Sequence, residues 1–317
     1  MSGVVLGLDG GGTQTRTALA DLSGQIVGVG AAGACNLAAV SPPESLAAAL
    51  AAADAALRQA GHSRADILSV CAGVAGVSYI DRRAQFLCSL QDAFPNANVT
   101  VEPDSAIALS GATGGTPGVI VIAGTGSAAY GENAAGETYR TGAYGYLIDD
   151  SGSGYGVGRA ALAAALQAAD GTGPATTLTL RLLGALELSS LTDIVPAVYS
   201  GSLSRVAIAG LSRVVAAAAE DQDPVARALL QRAGGTLAQL VHGVTQRLFA
   251  DATTPFPVAR IGGLWNAGNA LSDVFTRSLR RFAPAAVVTS PLHSPVEGAV
   301  QRALAQINLA QKSSRPS

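Results

Sequence analysis

The segment Val4-Val5-Leu6-Gly7-Leu8-Asp9-Gly10-Gly11-Gly12-Thr13-Gln14-Thr15-Arg16 decides how this chain folds. An apolar run ends on one carboxylate, three glycines turn the backbone, and hydroxyl residues lead into a second apolar run. The pattern reads strand, tight turn, strand. Glycines leave backbone N–H groups uncovered by side chains, so the turn can approach a phosphate closely. Asp9, at the strand end, is placed to hold a metal ion or its water, and Thr13 and Thr15 add hydroxyl donors. A plain hairpin turn explains the same residues. No Gly-Lys-Ser/Thr closes the loop and no helix follows it, which separates it from the common nucleotide motifs.

Outward from this turn, Arg16–Asp21 and Gln25–Gly30 read as two further strands. Ser41 caps a helix with Pro42 and Pro43 in its first turn and apolar positions recurring to Leu57. Ile67–Val74 is a buried strand, residues from about Asp81 to Phe94 a helix, and Val99–Val101 a short strand. Glu102-Pro103-Asp104 then opens a small-residue helix to Ala112. Three antiparallel strands followed by alternating helices and strands describe a ribonuclease-H-like half.

Gly114-Gly115-Thr116-Pro117-Gly118 reads as a hinge, and beyond it the pattern restarts. Val119–Ala123 is a β-branched strand, Gly124-Thr125-Gly126-Ser127 a glycine–hydroxyl turn, and Ala128–Gly131 a second strand. This echo, one domain along, is the main organisational feature of the sequence. A helical stretch follows over roughly Gly154–Leu248, broken at Gly171–Pro174 and Gly201. Val258–Ile261 is a strand ending in Gly262-Gly263, Ala285–Val288 the last strand, and Pro295–Ile307 a closing helix.

Composition bounds the function. The 317 residues suffice for two domains, each with its own core. Charged residues make up 13% and the net charge is −2, without the basic stripe a nucleic-acid binder needs. Hydrophobic residues reach 49%, but much of that is alanine, and no stretch is apolar and long enough to span a bilayer. Met1-Ser2-Gly3 lacks the basic start of a signal peptide, and Cys35, Cys71 and Cys88 form neither metal-ligand spacing nor a disulfide framework. The expectation is a cytoplasmic protein, with a disordered tail after Gln311.

Phosphates of a nucleoside triphosphate need holding from two sides by groups without competing charge, and Gly11–Thr15 and Gly124–Ser127 supply both if the domains face each other. Gly262-Gly263 leaves room for an adenosine. Asp104, opening its helix, is either a cap or a general base near the γ-phosphate, and the context favours the base. Asn36 offers donor and acceptor together to a sugar hydroxyl, or closes a turn. Of Asp149 and Asp150, one can cap the following helix while the other reaches a ligand. His62, His242 and His293 lie far apart and form no triad or cluster.

These residues resemble the N-acetylglucosamine kinases of the actin-like ATPase superfamily, in the BadF/BadG/BcrA/BcrD-type branch. The likeness runs from Asp9 through Gly298. Asp9-Gly-Gly-Gly-Thr13 is similar to the family's first phosphate motif, Gly124-Thr-Gly-Ser127 to its second, and Ile261-Gly-Gly-Leu-Trp265 to its adenosine motif. Ala209-Gly210, Asp223-Pro224 and Ala233-Gly234 resemble its nucleotide-side helices. The resemblance implies that Asp9, Gly11, Gly12, Thr13, Gln14, Thr15, Gly124, Thr125, Gly126, Ser127, Ala209, Gly262 and Gly263 meet the nucleotide. It also implies that Asn36, Ala143, Tyr144, Gly145 and Asp150 meet the sugar, and that Asp104 acts as base on the 6-hydroxyl. Three departures stand out. Gln14 stands where many relatives carry a cation, Tyr144 where they carry a larger aromatic, and Ser151 where an acidic residue is usual.

The fold so implied is α/β, with two ribonuclease-H-like (actin-like ATPase) domains facing a cleft and a large helical insertion in the second. Residues 1–116 make the first domain and 117–293 the second, with a closing helix over 294–310 packing back on the first. The implied activity is ATP-dependent phosphorylation of an amino sugar, N-acetylglucosamine above all, with Mg2+ held by Asp9 through water and closure at the hinge excluding solvent. A homodimer is ordinary for the family. The rivals are kinases of glucosamine, glucose, N-acetylmannosamine or N-acetylmuramate, an activating ATPase for a dehydratase or reductase, and a non-catalytic sugar sensor. The activator would need cysteines at a dimer interface to hold an iron–sulfur cluster.

Overall fold

The structure, a computed structural model, describes residues 3–250 and 253–313. The chain divides into two compact units, Met1–Thr116 with Pro291–Ser317 and Pro117–Ser290. In the first, β1 (Val4–Gly10), β2 (Thr15–Asp21) and β3 (Ile26–Ala32) form an antiparallel meander. Then follow α1 (Pro42–Ala60), β4 (Ile67–Val74), α2 (Ile80–Ala93), β5 (Asn98–Pro103) and α3 (Asp104–Thr113). β4 runs parallel to β1 and β5 parallel to β4, giving the strand order β3-β2-β1-β4-β5. α1 starts as its sequence dictates. Ser41 and Glu44 close a reciprocal capping box, and Pro42 occupies a position whose N–H would have no partner.

The second unit repeats the plan. β6 (Gly118–Ala123), β7 (Ser127–Glu132) and β8 (Thr138–Gly142) form a second antiparallel meander. Helices α4 (Gly154–Ala169), α5 (Leu178–Leu186), α6 (Ile194–Tyr199), α7 (Arg205–Gly210), α8 (Ser212–Glu220) and α9 (Pro224–Leu248) precede β9 (Phe256–Ile261), α10 (Asn269–Phe282) and β10 (Ala286–Thr289). The order β10-β9-β6-β7-β8, with β9 and β10 parallel to β6, is the first sheet's order with β6 in the role of β1. α11 (Pro295–Ser313) returns to the first unit and packs on β1, β4 and α3. Lys312 and Ser313 thus belong to a helix rather than to a tail, and residues 314–317 lie outside the described residues.

Both faces of the first sheet are covered, which is why β1 reads as a continuous apolar run. Leu6, Leu8, Leu19 and Val70 meet Ala49, Ala53, Phe86 and Leu90 on the α1–α2 side. Val5, Ala18 and Cys71 meet Ile107, Ala299 and Val300 on the α3–α11 side. In the second unit, Val119 and Val121 of β6 pack with Leu230, Leu237 and Val241 of α9 and with Leu271, Phe275 and Leu279 of α10. The four-residue spacing on α10 puts all three on one helix face. Among the described residues no single helix is long and apolar enough to cross a membrane. Helices over Leu178–Leu186 and Leu191–Tyr199 reach that composition only together, across a 59° bend, and they bury Leu178, Leu182 and Ile194 in the core.

Candidate active site

In the first unit the candidate residues gather at the carboxyl ends of the parallel strands, where ligands of open α/β sheets bind. β1 and β2 stay paired up to Gly10 and Thr15, so the reversal is confined to residues 11–14. Gly11 N–H donates to the Gln14 carbonyl at 3.1 Å, closing the turn, while the Gly11 carbonyl accepts from Cys35 N–H. The amides of Gly12, Thr13 and Gln14 have no partner among the described residues. Three successive unpaired N–H groups are a concave donor set for an anion.

Asp9 lies half-buried on β1, beside Gly73 of β4 and opposite Arg16 of β2. Burial pushes its carboxyl above the usual range, the like charge of Asp104 adds to the rise, and Arg16 pulls the other way. Asp104 follows β5 directly and is the first residue of α3, whose cap is Pro103. The capping alternative for Asp104 therefore fails in its simple form, although Oδ1 accepts the Ser105 N–H at 2.8 Å. Asn36 Oδ1 accepts from Ala38 N–H at 2.9 Å, and a Cβ on Gly12 would stand 3.5 Å from its Nδ2, so the amide donors face the glycine turn. Thr15 is fully buried and donates its hydroxyl to the Gly33 carbonyl at 2.7 Å, which makes it a brace for the turn rather than a phosphate donor. Gln14 Oε1 accepts from Arg16 Nε at 3.2 Å.

The second unit builds its turn in the same way. Gly124 N–H donates to the Gly126 carbonyl at 3.0 Å, and Gly154 N–H donates to the Gly124 carbonyl at 2.8 Å. Thr125 and Gly126 amides have no partner among the described residues. Ser127 N–H goes to Asp150 Oδ1 at 2.9 Å, and the Ser127 carbonyl accepts from Ala143 N–H. Neither Asp149 nor Asp150 caps α4. Ser153 does so, accepting from Gly156 N–H at 3.0 Å, while Asp149 closes a local turn with Ser151. Ala143 adopts φ +59°, a conformation glycine takes at far lower cost, and Tyr144 beside it is 59% exposed. The Ala209 carbonyl accepts from Ser212 Oγ and borders Gly154. Gly262, at φ +110°, lies so close to the end of β6 that a Cβ would overlap the Ala123 carbonyl, and Gly263 begins a short 3-10 turn. Trp265 in that turn donates its indole N–H to the Val121 carbonyl and packs edge-on against Phe275.

The structure thus brings Asp9, Gly11–Gln14, Asn36 and Asp104 together in one unit, and Gly124–Ser127, Ala143, Asp150, Ala209 and Gly262 in the other. It adds residues that the sequence did not single out. Arg205 lies beside Asp150, and Tyr146 and Tyr155 meet near it. In so weakly charged a chain, an arginine inside a polar loop was the available signal. No cluster of three potential metal-ligating side chains occurs among the described residues.

The sequence signature of the BadF/BadG/BcrA/BcrD ATPase family spans residues 6–303. The chain belongs to this family. An N-acetylmuramic acid/N-acetylglucosamine kinase of Clostridium acetobutylicum is 30% identical over 296 residues, 93% of this chain and 96% of the relative. An N-acetyl-D-glucosamine kinase of Dictyostelium discoideum is 29% identical over 95% of this chain and 98% of its own length. A solved structure from Chromobacterium violaceum, provisionally named an N-acetylglucosamine kinase, superposes with a TM-score of 0.73 at 28% identity, covering 94% of this chain and 98% of that one. The family's two-sheet architecture is therefore shared along nearly the whole chain.

Proposed function

We propose that the protein is an amino-sugar kinase that transfers the γ-phosphoryl group of ATP to the 6-hydroxyl of N-acetylglucosamine. The observation that carries this reading is the pair of carboxylates, Asp9 and Asp104, at the carboxyl ends of strands in one sheet, close enough that Asp104 raises Asp9. Two relatives of nearly full-length coverage whose names are amino-sugar kinases support the substrate class.

Asp104 accepts the proton of the sugar hydroxyl as its oxygen attacks the γ-phosphorus. The bond to the bridging oxygen breaks, and ADP departs with that electron pair. Backbone N–H groups of Gly12, Thr13 and Gln14, and of Thr125 and Gly126, donate to phosphate oxygens as negative charge redistributes. Ala209, Gly262 and Gly263 border the adenosine. Asn36 donates its side-chain amide to the sugar, Ala143-Tyr144-Gly145 forms a wall, and Asp150 accepts through Oδ2, since Oδ1 is taken by Ser127. The donor set around Asp9 fits Mg2+, an oxygen-seeking cation that keeps several of its waters. Asp9 would hold such an ion through a water, and the ion would supply charge neutralisation for the phosphates when bound.

The activating-ATPase alternative needs thiolates. Burial pushes the thiols of Cys35 and Cys71 up to about 12, and both are enclosed in the core of the first unit rather than presented at a surface where two copies could share a cluster. ADP release should be measured over N-acetylglucosamine, glucosamine, glucose, N-acetylmannosamine and N-acetylmuramate, with phosphorus NMR of the product. We expect N-acetylglucosamine to give the highest kcat/KM and a 6-phosphate. Absence of turnover with every amino sugar would sink the proposal.

A further inference from the structure

Arg205 is the first residue of α7, and its position follows from glycines in α4. A Cβ on Gly158 would overlap the Ile208 carbonyl, so α7 rests directly on the α4 backbone. Seated there, Arg205 has its Nη2 4.0 Å from Asp150 Oδ2 and its guanidinium 5.2 Å from the centre of the Tyr146 ring. A side chain begun at Gly126 would start 3.6 Å from Arg205 Nη2 and 3.3 and 3.4 Å from the two Asp150 oxygens. Carboxylate and guanidinium thus flank the middle of the second glycine turn, whose Thr125 and Gly126 amides are unpaired among the described residues.

Exposure distinguishes the two partners. The Asp150 side chain is 3% exposed and anchored by Ser127 N–H, whereas that of Arg205 is 44% exposed. A carboxylate this near a turn that receives phosphate would repel it unless a cation stood alongside. Tyr146 supports one face of the guanidinium and meets Tyr155 edge-on at 5.2 Å, leaving the fork's N–H groups to find an anion.

We propose that Arg205 is the cationic contact to a nucleotide phosphate at the Gly124–Ser127 turn, with Asp150 as the residue that positions it. This rests on reading that turn as a phosphate site. Binding of ADP, tripolyphosphate and adenosine to the full chain, measured by calorimetry, tests it. Arg205→Met should weaken ADP and tripolyphosphate by roughly 10- to 100-fold, the range for hydrogen bonds to charged groups, and leave adenosine within about twofold. Arg205→Lys should recover part of the loss, a point charge replacing a fork. Asp150→Asn, whose amide oxygen still accepts from Ser127, should melt like the unaltered chain yet weaken ADP. Adding it to Arg205→Met should bring no further loss. Equal weakening of adenosine and ADP in Arg205→Met, or ADP affinity left intact, overturns the Arg205 assignment. Unchanged ADP affinity in Asp150→Asn overturns the positioning role. An unaltered chain that binds ADP but phosphorylates no sugar would defeat the proposed function while leaving Arg205 in place.

Discussion

The backbone N–H of Ser127 donates to Oδ1 of Asp150 at 2.9 Å, tying the second glycine turn to the loop before α4 through a buried carboxylate. Removing that acceptor strands a buried donor, at a cost of about 1–3 kcal/mol. Asp150→Ala should therefore lower the unfolding free energy of the second unit by that amount, read from denaturant titration. Asp150→Asn retains an oxygen and should melt like the unaltered chain. Equal losses in the two variants would show that the hydrogen bond is not what Asp150 contributes to stability.

Asp104→Asn keeps size and hydrogen bonding at the start of α3 but removes the proton acceptor proposed above. Nucleotide and sugar affinities should persist while kcat falls by about 10²–10⁴-fold, the usual worth of a general base. Single-turnover kinetics with separately measured dissociation constants check this. Near-normal turnover would remove Asp104 from the chemistry.

Asp9 makes a linkage prediction whose sign follows from its raised pKa. The folded state holds the Asp9 proton more tightly than the unfolded chain does. Its contribution is therefore fully present below the unfolded value, about 3.9, and is lost as pH rises through the folded value. Above that folded value the ligand-free protein carries the loss in full. Asp9→Asn should then raise the melting temperature at pH 7, bring no such gain at pH 3, and sharply reduce phosphoryl transfer. A melting temperature lowered at pH 7 would contradict the desolvation and repulsion assigned to this carboxylate.

Much of this was legible in the chain because local chemistry and global fold agree. The capping box at Ser41, the apolar run of β1 and the two glycine turns all carry their structure in short windows. β8 was missed for a physical reason. Thr138-Tyr139-Arg140-Thr141 forms an edge strand exposed along most of its length, so no apolar alternation marks it. Without it the second sheet looks unlike the first, and with it the two orders match. The candidate site was legible where residues adjoin a turn, as with the positions of Asp9 and Ser127. Arg205 was not, because it reaches Gly126 only through the packing of α7 on α4. Thr15 was misread as a free donor, since its bond to Gly33 spans two strands.

The three cysteines should separate cleanly by reactivity. Cys88 is exposed on α2, whereas Cys35 and Cys71 are buried with thiols near 12. At pH 8 a disulfide reagent should label Cys88 alone in the native protein and all three after denaturation, because the thiolate is the attacking species. Fast native labelling of Cys35 would reopen the possibility of a reactive thiol in the loop before Asn36.

Gly158 offers a test of how α4 and α7 are seated, independent of any ligand. A Cβ added there would meet the Ile208 carbonyl at a separation no side chain fits, and both segments are backbone, so neither can rotate away. An added methyl must lift α7 or bend α4. Ile208 and Leu211, buried against Val157 and Leu162 in the same core, would lose contact as it does so. Overpacking of this kind costs about 1–3 kcal/mol. Gly158→Ala should destabilise the second unit by that order, whereas Gly184→Ala, at a helical glycine with open space around it, should be neutral or slightly stabilising. If the Gly158 variant melts like the Gly184 one, α7 does not rest on the α4 backbone as described.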